Sequence, residues 1–297
     1  MARILLITNP AAARTAALAV QAVMETFRGA GWDAEVLATG GPGDARRLAA
    51  VGVEEGVDVV AVFGGDGTTM QAAAALVGTD VALGVIPGGT GNLLAGNLRI
   101  PASPARAARA LVGGRARRFD LGQVARPGGA EYFAVACGAG YDALVMAATL
   151  SEQKRRWGIG AYIYTTLRLM GDLRSSAHLI TIDGVEYEAR AAMVLVANCG
   201  EVIPPFVRLR GGVVPDDGLL DVIAVRADSL AEGVRAIWEV LRGGPTTEAL
   251  VAYGRGREVR VESQPVQPVQ LDGESGGATP FTARVVPGAI NIMVPAS

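Results

Sequence analysis

The chain has 297 residues, half of them apolar, with 40 glycines and a formal net charge of -2. That length supports one large domain or two ordinary ones, the apolar fraction excludes a disordered chain, and the near-neutral balance gives no pull towards nucleic acid, which is not expected as a partner. A single lysine, Lys154, and a single histidine, His178, remove lysine-dependent phosphate loops, Ser-His-Asp catalysis and multi-histidine metal sites, so base chemistry must fall to carboxylates.

From Met1 to about Arg118 the pattern alternates strand and helix. Ile4–Thr8 reads as a first strand and not as a signal-peptide core, because Asn9-Pro10 follows too soon. An alanine-rich helix over Ala16–Ala30, a strand over Ala34–Ala38 and a helix near Asp44–Gly52 lead to the apolar run Val57–Phe63, a buried parallel strand. That strand runs into Gly64-Gly65-Asp66-Gly67-Thr68. Glycines there let the backbone approach phosphate oxygens, and the carboxylate can reach their magnesium through water. Taken alone, such a turn is equally an ordinary tight connection. A second alanine-rich helix and the strand Val81–Ile86 then deliver a second loop, Pro87-Gly88-Gly89-Thr90-Gly91-Asn92. Leu93–Leu98 and Pro104–Gly113 follow as helices, the latter capped by Ser103. Two Gly/Thr loops at the carboxyl ends of successive strands are predicted to lie side by side, where open α/β folds bind ligands.

Beyond Asp120 short strands with period-two alternation take over: Phe119–Val124, Tyr132–Cys137, Ala177–Ile182, Glu186–Ala197, Leu219–Val225, Glu258–Ser263 and Val266–Leu271. Helices are predicted over Ala143–Leu173 and Leu230–Arg242. The fold class is therefore α/β: an N-terminal, mostly parallel βαβ nucleotide-binding domain (1–118), then a C-terminal β-sandwich (119–297). The active site is expected in the interdomain cleft, with Gly113–Arg118 as the hinge and the last strand, Ala289–Val294, free to return to the first domain. Cys137 and Cys199 read as buried free thiols and His178 as a satisfied structural histidine. No apolar run reaches the roughly 18 residues of a membrane span, so a cytoplasmic protein is expected.

The chain resembles the diacylglycerol kinase catalytic-domain family, in particular its soluble bacterial lipid-kinase branch and the related sphingosine kinases. The resemblance rests on Asn9-Pro10, Thr39 before Gly43-Asp44-Ala45, the loops at 64–68 and 87–92, Phe119-Asp120-Leu121-Gly122 and Gly140-Tyr141-Asp142-Ala143. It continues through the segment from Val214 to Val222 and Leu271-Asp272-Gly273-Glu274. It implies an ATP- and magnesium-dependent lipid kinase acting on a hydroxyl of a membrane lipid, with diacylglycerol converted to phosphatidic acid as the leading reading. It also implies roles: Asn9, Thr39, Gly65, Asp66, Gly67, Thr68 and Thr90 on the ATP phosphates, and Asp66 and Asp120 near the catalytic magnesium. A second, structural magnesium would be held by the Asp217 carboxylate and the carbonyls of Val214 and Leu219.

Asp272 and Glu274 are assigned to proton transfer, Asp272 as base and Glu274 as its partner. On a strand, positions i and i+2 share a face, and two neighbouring carboxylates raise one pKa. A turn with a solvated Glu274 is the competing reading. Several positions depart from the family: Ala12-Ala13 replaces Ser-Gly, Met70-Gln71 replaces Asn-Glu, and Leu93 replaces an aspartate. Gly-Asn before an apolar residue is similar to the sphingosine kinases, so a sphingosine or ceramide acceptor stays open. An NAD kinase ranks lower, because no Asn-Glu pair occurs in the chain. A catalytically weak lipid- or nucleotide-binding protein is a third reading. The expected partners are the membrane lipid acceptor, a transient membrane-surface contact and, as an open option, a second copy in a homodimer. The segment Lys154-Arg155-Arg156-Trp157 with Tyr162, Tyr164, Leu167 and Met170 suits a peripheral membrane contact, or else an ordinary amphipathic helix.

Overall fold

The computed structural model describes residues 1–126, 128–148, 165, 174–203, 207–209, 213–229, 231–233, 235 and 251–296. The chain divides into two units, one of Met1–Phe119 with Gly288–Ser297 and one of Asp120–Pro287.

The first unit opens β1 (Arg3–Thr8), α1 (Ala17–Gly29), β2 (Asp33–Ala38), α2 (Asp44–Glu54), β3 (Val59–Gly64) and α3 (Asp66–Leu76). It continues β4 (Ala82–Pro87), α4 (Leu93–Asn97) and α5 (Pro104–Val112). Its strands run parallel in the order β2-β1-β3-β4. Every residue of β3 and β4 is buried, which is why both read as unbroken apolar runs, whereas no residue of the edge strand β2 is fully buried. Val23, Met24 and Phe27 form the buried stripe of α1, and Phe27 stacks on Trp32 at 5.8 Å. Ser103 does occupy the N-cap position of α5, yet its hydroxyl makes no capping bond. Pro104 in the first turn sets the helical φ there without that bond.

β5 (Arg115–Arg126) begins inside the predicted hinge and runs unbroken past Phe119, so the chain leaves the first unit on a strand and not on a linker. Then come β6 (Gly129–Phe133), β7 (Ala136–Gly140), α6 (Tyr141–Ala148), β8 (Ser176–Ile182), β9 (Val185–Ala191), β10 (Met193–Ala197), β11 (Glu201–Ile203) and β12 (Val207–Arg208). β13 (Leu220–Val225), β14 (Val251–Gly256), β15 (Glu258–Gln264), β16 (Pro268–Leu271), β17 (Glu274–Ala278) and β18 (Phe281–Val294) complete the chain. The second unit is an antiparallel sandwich. One sheet has the order β14-β13-β10-β7-β16-β17, and the other is built from β9, β8, β15 and the first half of β18, with β5 and β6. Val124, Phe133, Val194, Val222, Val259, Val261 and Phe281 meet in its core. The second half of β18 belongs to the first unit, where Asn291 and Ile292 pair parallel to Ala82 and Leu83 of β4.

Two predicted strands are in fact two each. Tyr132–Cys137 breaks between β6 and β7 because the amides of Ala134, Val135 and Ala136 leave the ladder for a side chain. Glu186–Ala197 breaks at Ala192, since β9 pairs β8 in one sheet while β10 pairs β7 and β13 in the other. The two segments follow each other with no Gly or Pro between them, so the sequence pattern does not register the corner. His178 bridges the Ala191 carbonyl and Ser263 in the interior, and both cysteines are buried and free. Among the described residues no helix is long and apolar enough to cross a membrane. Most of the predicted helices Ala143–Leu173 and Leu230–Arg242, with the basic-aromatic segment from Lys154 to Met170, lies outside the described residues.

Candidate active site

In the first unit the carboxyl ends of four adjacent parallel strands carry the predicted phosphate groups: Thr39 after β2, Asn9 after β1, Gly65–Thr68 after β3 and Thr90 after β4. The register is level, with Thr8 opposite both Ala38 and Phe63, and Gly64 opposite Pro87. Asn9 is tied in on both sides: its amide donates to Thr68 Oγ1 at 3.0 Å, and its Oδ1 accepts the Ala11 N–H at 3.0 Å. Thr39 N–H donates to the Thr8 carbonyl at 2.8 Å.

The two glycine loops touch. Gly88 and Gly89 both donate to the Gly64 carbonyl, at 2.8 and 3.1 Å. Asn92 then closes the second loop on itself, accepting from Gly89 N–H at 3.0 Å and donating to the Gly89 carbonyl at 2.8 Å. A Cβ on Gly89 would stand 2.7 Å from Gly65 Cα, and one on Gly91 would stand 2.9 Å from Asp66 Oδ2. Asp66 is the first residue of α3, which starts directly from the loop with Gly65 at its N-cap. A helix N-terminus with glycine backbone beside it is a phosphate cradle, and a carboxylate at its edge serves the cation that accompanies phosphate. These donors fit nucleotide phosphates. Among the family departures, Gln71 accepts the Gly43 N–H at 3.1 Å and so braces the neighbouring loop, while Leu93 opens α4.

Gly89→Ala is expected to cost about 1–3 kcal/mol, because backbone would have to yield to backbone. Gly41→Ala, with nothing within 4 Å of its Cβ, is the neutral control. Thermal melts of the two variants check this.

In the second unit, Asp120 on β5 is buried and holds the turn before β13: its N–H donates to the Pro215 carbonyl at 2.8 Å and its Oδ2 accepts the Gly218 N–H at 2.7 Å. The structure thus brings Asp120 to the Asp217 turn. The buried Asn198 donates to the Asp120 carbonyl and the Ala134 carbonyl, each at 2.9 Å. Asp217 Oδ1 accepts the Leu219 N–H at 3.1 Å, and Oδ2 lies 3.6 Å from Arg255.

The shared strand face expected for Asp272 and Glu274 does not exist. Leu271 pairs with Glu274, so Asp272 and Gly273 form a two-residue hairpin loop, both in the left-handed region with φ 47 and 86. Asp272 is 8% exposed, and its two carboxylate oxygens accept three consecutive amides: Ala134 at 2.7 Å on Oδ2, Val135 and Ala136 each at 2.9 Å on Oδ1. Burial pushes this carboxyl up to about 6, against the downward pull of those amides. Glu274 is exposed at the start of β17. The two carboxylates therefore differ in kind: one is sealed into the fold, the other is open to solvent. Asn198 and Arg255 were not singled out by sequence reasoning: Asn198 lies just past the strand ending at Ala197, and Arg255 sits in a glycine-bearing stretch with no strand signal of its own, so only their tertiary partners give them a role.

Residues 3–124 match the family model described as the diacylglycerol kinase catalytic domain, and residues 135–294 match the YegS C-terminal NAD kinase beta sandwich-like domain. The chain is 31% identical to a diacylglycerol kinase of Mycobacterium tuberculosis, over 97% of this chain and 94% of that one. It is 32% identical to the "Probable lipid kinase YegS-like" protein of Pseudomonas fluorescens, over 93% and 90% of the two chains. A crystal structure of a candidate diacylglycerol kinase from Bacillus anthracis superposes with a TM-score of 0.82 at 27% identity, covering 98% of this chain and 96% of that one.

Proposed function

The chain belongs to the diacylglycerol kinase catalytic-domain family and is a lipid kinase, and from that premise we propose that it transfers the γ-phosphoryl group of ATP, with magnesium, to the free hydroxyl of diacylglycerol. The observation that carries the reading is the pair of glycine loops in backbone contact at the ends of β3 and β4, with Asp66 at the head of α3. ATP supplies the phosphoryl group, and magnesium neutralises the charge that spreads over it in the transition state. The chain's own groups do the rest. Gly65, Gly67, Thr68 and Thr90 offer donors to the phosphates, and Asn9 orients Thr68. Thr39 stands at the edge of the same row, and Asp66 serves the cation.

The acceptor hydroxyl must lose a proton, and the roles within the predicted pair exchange: Glu274, exposed and unencumbered by the hairpin, takes the proton. Asp272 is a positioning residue that fixes the 134–136 segment and the hairpin bearing Glu274. Asp120 holds the 215–218 turn through Gly218. A membrane acceptor implies transient contact of the protein with a lipid surface, for which the basic-aromatic segment at 154–170 is chemically suited.

Labelled ATP, magnesium and a panel of diacylglycerol, monoacylglycerol, sphingosine, ceramide and NAD test the proposal. Label is expected on diacylglycerol, giving phosphatidic acid. Label on sphingosine or ceramide would move the acceptor, label on NAD would overturn the lipid assignment, and no labelled product would leave a binding protein.

A further inference from the structure

Arg255 of β14 is the register partner of Asp221 of β13, and its guanidinium reaches two carboxylates at once. Nε and Nη2 donate to Asp221 Oδ1 and Oδ2 at 3.1 and 3.3 Å, a two-pronged grip, while Nη1 lies 3.6 Å from Asp217 Oδ2. The remaining Asp217 oxygen accepts the Leu219 N–H. The cluster is partly sheltered, with side-chain exposures of 39% for Arg255, 27% for Asp217 and 12% for Asp221. Burial raises the Asp221 carboxyl and the nearby Asp217 charge adds to that, with Arg255 opposing both. Without the guanidinium, two carboxylates four positions apart would repel each other across a turn that Asp120 must hold closed.

The family resemblance places a structural magnesium on Asp217 with the carbonyls of Val214 and Leu219. The residues do not fit that ion as they stand. A hard cation needs an open approach to carboxylate oxygen. Here one Asp217 oxygen is taken by the turn's own amide and the other faces a positive charge anchored elsewhere.

We propose that Arg255 is the built-in counter-cation of the Asp217 turn, anchored on Asp221, and that it takes the place of a divalent ion in the second unit. A guanidinium fixed by a paired grip loses little further freedom in reaching a second carboxylate, which offsets the weakness of a half-exposed ion pair. The turn then closes at any magnesium concentration. This holds whichever lipid is the acceptor and is tested without nucleotide, so its failure leaves the kinase reading untouched.

The test is thermal unfolding of the full chain in chelator and in millimolar magnesium. Wild type is expected to shift by less than about 1 °C between the two, whereas Arg255→Gln should melt several degrees lower in chelator and recover most of that loss in magnesium. Adding Asp217→Asn to Arg255→Gln should abolish the recovery. If Arg255→Gln does not fold in chelator, Arg255→Gln with Asp221→Asn, which removes the orphaned charge, is measured in its place with the same expected magnesium response. Magnesium stabilising wild type as much as the Arg255 variants would overturn the proposal. So would Arg255 variants indifferent to magnesium, or a response that survives Asp217→Asn.

Discussion

Asp66→Ala is expected to lower phosphoryl transfer by about three orders of magnitude or more, while the melting temperature stays close to that of wild type. Asp66 is the first residue of α3, and its carboxylate lies beside Gly91 at the loop edge, outside the apolar core. Losing an acid at a helix N-terminus costs only about 0.3–1 kcal/mol through the helix dipole. The charge matters to the bound state in two opposite ways: it repels the phosphates and attracts their cation. Removing it should therefore weaken magnesium-nucleotide binding and leave metal-free nucleotide binding in chelator unchanged or slightly tighter. A titration with ATP in chelator and in magnesium separates these. Activity near wild type would remove the loop from the reaction. Equal weakening in both conditions would make Asp66 a loop-former and not a cation partner.

The first unit was legible because its rules are local. A short, valine-rich apolar run followed by glycines points to a buried strand with a tight exit, and both runs proved to be neighbouring parallel strands, β3 and β4, with their loops in contact. The second unit was legible as a sandwich but not strand by strand. β14 and β17 went unseen: Val251–Gly256 carries two glycines and an exposed tyrosine, and Glu274–Ala278 is mostly glycine and polar residues. Their strand character comes from pairing with β13 and β16, not from their own side chains. The site shows the same division. Asp66 could be placed from its neighbours in sequence, whereas the burial of Asp272 depends on amides more than 130 positions away, at 134–136. The leading reading put Asp-Gly on a strand face and kept the turn with a solvated Glu274 as its competitor; the turn is what forms, with Asp272 buried in it.

That hairpin leads to the sharpest division of labour between two acids. Glu274→Gln should leave stability unchanged, since the side chain is exposed, and should slow transfer by about two to four orders of magnitude with little change in apparent ATP affinity. Asp272→Asn should instead destabilise the second unit. An amide can offer its oxygen to Val135 and Ala136 but turns an N–H donor towards the Ala134 N–H, now 2.7 Å from Oδ2. One buried donor left facing another costs about 1–3 kcal/mol, a fall of several degrees in melting temperature. The deficit should also depend on pH. Asp272 sits at about 6 in the folded chain against an ordinary 3.8, so the folded state binds the proton more tightly. The stability this supplies is full below the unfolded value and is lost as pH rises through about 6. Wild type should therefore gain on Asp272→Asn as the pH falls from 7 to 5, a trend visible in melts of both proteins across that range. Asp272→Asn melting with wild type while losing more rate than Glu274→Gln would return the proton to Asp272, and the three amides would then be tuning a base instead of locking a hairpin.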